Sequence, residues 1–314
     1  MQINSASRST VSVIFTNYNY RHFLYRSLNS LLKQTRIPDE IIIIDDASTD
    51  GSVDLIQELI TGHSHIQFHA NKKNIGLFQN VETALKLTTK KFIYFMSSDD
   101  YLDLTFFEKI LGLIEKFDLS ACFSLPIFVK DNKNHYGGIK MQDHQIFYPN
   151  DFANLIKNTG LWICGNAVVV NKELFLAFEG IDEKLGIHCD LFINHCIAFN
   201  CKTGLYNEHL AYLNIHENSL SSKILKDKKA LYKIYPFFLK KINSCSKSTK
   251  KLFIDSQFFL LLPKFFIDFV KYRPIYWDYY FAIKKQKNKT KSINLFNKIK
   301  NKIKAFIKQS FKYY

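Results

Sequence analysis

Two pairs of adjacent aspartates stand at the ends of apolar runs. The first closes Ile41-Ile42-Ile43-Ile44-Asp45-Asp46 and continues as Ala47-Ser48-Thr49-Asp50-Gly51. The second closes Phe92-Ile93-Tyr94-Phe95-Met96-Ser97-Ser98-Asp99-Asp100. Carboxylates are hard oxygen donors, so two such pairs converging on one crevice suit Mg²⁺ or Mn²⁺ and the polar part of a nucleotide. Taken singly, either pair is as well explained by a solvated turn or a helix cap. Their shared context favours a site. Each follows a short β-branched or aromatic run of the kind buried on both faces of a parallel sheet, where ligands collect beyond the carboxyl ends of the strands.

Thr16-Asn17-Tyr18-Asn19 follows the first such run, at residues 11–15, and faces the same edge. A Thr hydroxyl and a Tyr ring can hydrogen-bond to and stack on a base, although Asn and Tyr are also ordinary turn residues. Asn74-Ile75-Gly76 follows a third run and either lets backbone approach a ligand or simply opens a helix. His188, Cys189, His195 and Cys196 are metal-ligating types, but their spacing lacks the paired geometry of a zinc site. Ordinary packing explains them as well.

The elements that must position these residues alternate. Strands are expected at residues 11–15, 41–44, 66–68 and 92–95, with helices at 21–33, 52–60, 77–87 and 105–117, which predicts a doubly wound, mostly parallel α/β sheet. Residues 126–222 are less regular. An exposed loop is expected at 132–145, strands at 167–170 and 210–215, and a helix at 190–199. From residue 223 the chain is rich in Lys, Phe, Tyr and Ile with few turn residues, which reads as helices. The expected division is a domain over 1–222, with a regularly alternating half, 10–125, and a less regular half, 126–222, followed by a helical, Lys-rich region over 223–314.

At 314 residues and 47% hydrophobic composition the chain can bury a substantial core. The polar start, Met1-Gln2-Ile3-Asn4-Ser5, does not read as a secretory signal. The longest apolar stretch, 258–270, is broken by Pro263, Lys264 and Asp268 and falls short of the ~20 apolar residues a spanning helix needs. The six cysteines include no CxxC pair, which fits reduced thiols and a cytoplasmic location.

The net charge of +15 is concentrated at one end, because residues 284–314 hold eleven lysines and no acid. A positive tail on a nearly neutral body indicates an accessory binding element, and no nucleic-acid-binding fold accompanies it. In the tail Leu295, Phe296, Ile299, Ile303, Phe306 and Ile307 recur at intervals of three and four, with Lys298, Lys300, Lys302, Lys304 and Lys308 between them. Such a basic amphipathic helix suits an anionic membrane surface, and the expected location is peripheral, at the inner face of the cell membrane. A helix packed on the body and a disordered tail are the competing readings.

Four segments taken in order resemble glycosyltransferase family 2, the inverting transferases with the GT-A fold. They are residues 11–19, residues 41–51, Asn74-Ile75-Gly76 with Asn80, and Ser98-Asp99-Asp100-Tyr101-Leu102. The resemblance covers roughly residues 10–220 and implies a nucleotide-diphosphate sugar donor, with a UDP-sugar favoured, and a glycan or lipid-linked acceptor. It further implies that Thr16, Tyr18, Asp45, Ser98 and Asp99 bind the donor nucleotide. Asp99 and Asp100 would hold Mn²⁺ or Mg²⁺, with His216 as a further ligand. The leading Asp of the family's acidic motif is Ser97 here, and the basic residue often found before Asn80 is Gln79. Asp190 matches the second member of the family's acidic pair and is the implied catalytic base, while Cys189 stands where Glu is usual. The bland reading of Asp190 is a first-turn acid on a helix. The implied activity is sugar transfer in cell-surface polysaccharide or lipid-linked glycan synthesis. The alternative is a non-catalytic nucleotide-sugar-binding or scaffold protein whose site has decayed at Ser97, Gln79 and Cys189. A nucleotidyltransferase would show a glycine-rich, basic loop after the first strand, and residues 16–20 contain neither Gly nor Lys.

Overall fold

The computed structural model describes residues 8–139 and 141–290. In chain order the elements are β1 (Val11–Asn17), α1 (Arg21–Leu32), β2 (Glu40–Asp45), α2 (Ser52–Ile60), β3 (Ile66–Ala70), α3 (Leu77–Leu87), β4 (Phe92–Ser97), β5 (Tyr101–Leu102) and α4 (Phe106–Phe117). They continue as β6 (Ala121–Lys130), β7 (Lys133–Tyr136), β8 (Gln145–Phe147), α5 (Pro149–Thr159), β9 (Val168–Asn171), α6 (Lys172–Ala177), α7 (Cys189–Ala198) and β10 (Thr203–Asn214). Five helices close the described chain: α8 (Leu220–Lys226), α9 (Lys228–Ser244), α10 (Lys247–Asp255), α11 (Lys264–Lys271) and α12 (Trp277–Thr290). The expected tail helix on residues 295–307 lies outside the described residues.

The strands form one sheet in the order β3-β2-β1-β4-β9-β6-β10-β5, with β7 against β6 and β8 against β10. The β3-β2-β1-β4 block is parallel, as the unbroken apolar runs predict, and Ile41 through Ile44 are buried. Beyond β4 the sheet is mixed: β9 runs antiparallel to both β4 and β6, and β5 antiparallel to β10.

One local expectation is corrected, and one strand is added that no expectation covered. Residues 132–145 are not simply an exposed loop, because Lys133–Tyr136 pairs antiparallel with β6. The hairpin turns on Asp131 (φ 49°) and Asn132 (φ 59°), and two consecutive left-handed residues match the right-handed twist of the flanking strands. The ten-residue strand β6 has no counterpart in the sequence reading because Pro126 lies inside it, and a proline cannot donate to a ladder. The sheet accommodates it with an irregularity, since the β10–β6 register shifts between His209 and Ala211, and Ala211 is the residue opposite Pro126.

The chain forms two compact units. Among the described residues, the first comprises residues 8–146, Ile163–Glu183 and Cys201–Asn214; the second comprises Phe147–Trp162, Lys184–Asn200 and residues 215–290. The first contains nearly the whole sheet, and its core joins Val13, Phe15, Ile41, Ile43, Tyr94 and Met96 to Leu24, Leu28 and Leu31 of α1 and Phe106, Phe107 and Ile110 of α4. The second is helical and closes on aromatic rings, with Tyr235, Phe238, Phe253, Phe258 and Phe266 fully buried. Edge-to-face contacts such as Phe253–Phe258, 5.0 Å between centroids, are the geometry that ring quadrupoles prefer.

Candidate active site

Register brings the first unit's candidates to one edge. Thr16 lies opposite Ser97 in the β1–β4 pairing, and Asn17 lies opposite Asp45 in the β1–β2 pairing. The segments that follow β1, β2 and β4 therefore leave the sheet side by side, carrying Thr16 and Tyr18, Asp45 and Asp46, and Ser98, Asp99 and Asp100. Tyr18 is 47% exposed, so a ring face is open to a stacking partner.

The two members of the first acidic pair serve different loops. Asp45 is 0% exposed and accepts from the Asn17 amide (2.7 Å), the Ser48 N–H (2.8 Å) and the Ser48 hydroxyl (2.7 Å). Its carboxylate shapes the turn through Ala47, which sits at φ 61°. The same Ser48 hydroxyl accepts the Asn19 N–H, which joins the Thr16–Asn19 loop to this turn. Asp46 faces the β3–α3 loop, accepting the N–H groups of Ile75 (2.8 Å) and Gly76 (2.9 Å) and the Asn71 amide (2.9 Å). Burial pushes its carboxyl up, but the Ile75 N–H, the Asn71 and Asn80 side chains and the Gly76 N–H outweigh that and hold it below its ordinary value. The Asn74-Ile75-Gly76 turn is thus fastened to the first acidic pair, a link that spacing alone does not reveal.

The second pair is buried and held by residues from far along the chain. The Asn166 amide donates to Oδ2 of Asp100, the Asn214 N–H donates to Oδ1 at 2.9 Å, and the Asn214 amide donates to the Asp99 carbonyl. The Tyr94 hydroxyl donates to the Asn166 carbonyl at 2.8 Å. Arg26 lies over the Tyr101 ring at 4.2 Å, and Tyr101 stacks on Tyr212 at 4.4 Å. Burial, then the charge of Asp99, push the Asp100 carboxyl well above its ordinary range, against the pull of the Asn214 N–H and Arg26. Burial and the same two aspartates raise the Tyr20 hydroxyl to about 12. Asn166, Asn214, Arg26 and Tyr20 carry no signal at sequence level beyond the short segments that contain some of them, because their roles arise from tertiary pairing.

These features fit a divalent cation. Hard oxygens are concentrated where like charges oppose one another, and a cation would relieve that opposition. Among the described residues no three His, Cys, Asp or Glu side chains gather to hold an ion. Mg²⁺ commonly uses one or two carboxylates and completes its shell with substrate phosphates and water.

In the second unit Asp190 lies exposed in the first turn of α7, where its Oδ1 accepts the Leu191 N–H at 2.8 Å. His216 follows β10 in the segment leading to α8. The would-be zinc residues are packing groups. His195 is buried, bonded at Nδ1 to the Leu191 carbonyl (2.7 Å), and lies 4.9 Å from the Phe258 ring centroid. His188 stacks on Tyr235. Burial lowers His188 to about 4 and His195 to about 3, so both are neutral at pH 7. All six cysteines are free thiols.

The family model for Glycosyl transferase family 2 matches residues 12–175, just over half of the chain. The chain belongs to glycosyltransferase family 2. Among curated relatives, an uncharacterized glycosyltransferase of Nostoc sp. is 30% identical over 66% of this chain and 65% of its own length. The Escherichia coli UDP-Glc:alpha-D-GlcNAc-diphosphoundecaprenol beta-1,3-glucosyltransferase WfgD is 29% identical over 54% of this chain and 63% of its own. The chain thus spans just under two thirds of these two curated relatives. Among solved structures, Staphylococcus aureus TarS 1–349 in complex with UDP-GlcNAc superposes with a TM-score of 0.66 at 17% identity, covering 88% of this chain and 80% of that one. The mannosyltransferase PcManGT of Pyrobaculum calidifontis, in complex with GDP-Man and Mn²⁺, gives 0.53 at 14% identity over 89% and 87%. The fold is GT-A, with a helical C-terminal region.

Proposed function

We propose that this family 2 member is an inverting glycosyltransferase that moves a sugar from a nucleotide-diphosphate donor, a UDP-sugar by preference, to an acceptor hydroxyl. One observation carries the reading: Thr16, Tyr18 and the Ser98-Asp99-Asp100 segment occupy one edge of adjacent parallel strands, where such sheets bind nucleotides. Thr16, Tyr18 and Asp45 recognise base and ribose, and Asp45 also holds the loop that presents the other two; Ser98 and Asp99 approach the ribose and diphosphate. Asp99 and Asp100 would hold Mn²⁺ or Mg²⁺, which supplies Lewis-acid neutralisation of charge on the departing diphosphate. The Asp190 carboxylate takes the acceptor proton as oxygen attacks the anomeric carbon from the face opposite the diphosphate.

The acceptor is proposed to be a lipid-linked or cell-surface glycan. WfgD, named for glucosyl transfer to a diphosphoundecaprenol-linked sugar, supports that class. The cationic segment 284–314 is proposed to bring the enzyme to an anionic membrane surface at the cytoplasmic face. No helix among the described residues is long and apolar enough to cross a membrane.

The test is thermal stability with nucleoside diphosphates and nucleotide sugars, each with and without Mn²⁺. A ligand that binds the native state alone raises the midpoint by mass action. A rise that needs both Mn²⁺ and a uridine nucleotide is expected. No rise with any nucleotide would favour a decayed site and a scaffold role.

A further inference from the structure

Large apolar side chains are exposed together where the described chain nears its end. Tyr272 is 70% exposed, Ile275 82%, Trp277 46% and Phe281 54%, all within ten residues. Trp277 and Phe281 are one turn apart on α12 with ring centroids 6.1 Å apart, so they form one outward stripe. The inward stripe of the same helix is separate: Tyr279 is 4% exposed and Ile283 1%. The helix therefore has two apolar faces, of which packing within the second unit uses one. On the outward side the Trp277 indole donates to the Lys271 carbonyl at 3.1 Å, and the neighbouring Tyr276 ring lies 5.4 Å from Phe269.

The ridge is flanked by positive charge. Lys271, Arg273 and Lys284 accompany it, with Asp278 as the single acid from 271 to 284, and the segment that follows adds ten lysines and no acid from 285 on. Exposed apolar patches of this kind mark interaction surfaces. Trp and Tyr beside Lys and Arg are what a bilayer interface selects, because the rings sit at headgroup depth and the cations meet anionic lipid. A second copy of this chain, or its own tail folded back, would bring like charges together on the same face. An anionic lipid surface is complementary to it.

We propose that Tyr272, Ile275, Trp277 and Phe281 form a membrane-inserting ridge that seats the second unit on an anionic lipid surface. This rests on the reading of the cationic tail given above and adds a distinct role: the lysines attract, and the ridge inserts. Attraction by lysines is screened by salt, whereas burial of the ridge is not.

The experiment uses the full chain with phosphatidylcholine vesicles, with and without phosphatidylglycerol. The chain has two tryptophans, so Trp162→Phe leaves Trp277 as the reporter. With anionic vesicles the Trp277 emission shifts to the blue and is quenched by brominated acyl chains. Pure phosphatidylcholine gives neither effect. The triple change Tyr272→Ser, Ile275→Ser, Phe281→Ser lowers vesicle affinity about tenfold or more at raised salt. Its unchanged melting temperature shows that the fold is intact. Vesicle binding with unaltered Trp277 emission would overturn the ridge and leave the tail reading standing, and absence of vesicle binding by the intact chain would overturn both. Trp277 emission that depends on protein concentration without lipid would identify a second copy as the occupant and overturn the proposal. Emission already blue without lipid, and shifted to the red on removal of 291–314, would do the same in favour of the tail.

Discussion

Asn214 donates its backbone N–H to Oδ1 of Asp100 across 114 positions of sequence, while its side-chain amide donates to the carbonyl of Asp99. With Asn166 on Oδ2, both oxygens of the Asp100 carboxylate are held by segments from much later in the sequence. The acidic pair is therefore aimed by the mixed part of the sheet, through β10 and the turn Gly165–Ala167, and not by its own turn alone.

Asn166→Ala removes one of these donors and leaves a buried carboxylate oxygen short of a partner. A hydrogen bond to a charged group is worth about 1.5–3 kcal/mol, so Mn²⁺-dependent binding of the nucleotide is expected to weaken about tenfold or more. Isothermal titration of UDP in the presence of Mn²⁺ measures it. Asn166→Asp also loses the amide donor and places a third carboxyl beside Asp99 and Asp100, so it should weaken binding further. Equal affinity for the wild type and Asn166→Ala would show that the aim of Asp100 does not depend on this amide.

Asp46 makes a different prediction. It is a buried carboxylate accepting two backbone N–H groups and one amide, so Asp46→Ala leaves the Ile75 and Gly76 N–H groups without their acceptor. Losing several bonds to one buried charged group should cost about 2–4 kcal/mol in urea unfolding. Asp46 contributes stability above the unfolded carboxyl pKa, and that contribution is lost as pH falls through its lowered folded value. The Asp46→Ala protein should accordingly lose less stability than wild type on acidification below about pH 4. Parallel acid limbs for the two proteins would contradict this account.

How far the sequence carries can be judged from such residues. The runs before Asp45 and Asp100 reveal the parallel strands because burial on both faces leaves no alternation to interpret, and the helices at Ser52–Ile60 and Leu77–Leu87 have the expected bounds. Strand β6 is invisible because Pro126 carries a local signal against strand that only the irregular pairing with β10 overrides. The hairpin at Asp131-Asn132 is a turn of the right conformation with residues weaker than Asn-Gly. In the site, the acidic pairs are legible as types. What each does is not, since Asp45 and Asp46 are adjacent yet bond to loops that come from opposite sides in sequence. Asn166 and Arg26 acquire meaning only from contacts dozens of residues away.

The helical unit should lose stability in mild acid. His188 and His195 are buried and neutral, with folded values of about 4 and 3 against about 6.5 for an unfolded imidazole. Because these folded values are depressed, the unfolded state binds more protons once pH falls below about 6.5. Stability is then full above that value and declines as pH falls toward the folded values, by up to about 1.4 kcal/mol per pH unit for each histidine. Urea titrations between pH 7 and 5 measure the slope. Replacing His195 by Phe, which suits its aromatic surroundings, should reduce it. A slope the same in both proteins would mean that His195 is accessible to protons in the native state.

Asp190 separates catalysis from structure. It sits exposed in the first turn of α7, where a negative charge is favoured by the helix dipole and its Oδ1 already accepts the Leu191 N–H. Asn can accept the same hydrogen bond, so Asp190→Asn should leave the melting temperature nearly unchanged. It cannot take a proton from an acceptor hydroxyl, and loss of a positioned general base typically costs 10²–10⁴-fold in rate. Transfer should fall by about that factor while Mn²⁺-dependent UDP binding, which is proposed to draw on Thr16, Tyr18, Asp99 and Asp100, persists. Asp190→Ala should match the loss of transfer and add about 0.5–1 kcal/mol of destabilisation from the lost first-turn charge. A first-turn acid with no catalytic role predicts the opposite pattern: normal transfer by Asp190→Asn, with a small change in stability only. Transfer rate and donor affinity measured on the same Asp190→Asn protein therefore decide between the two roles.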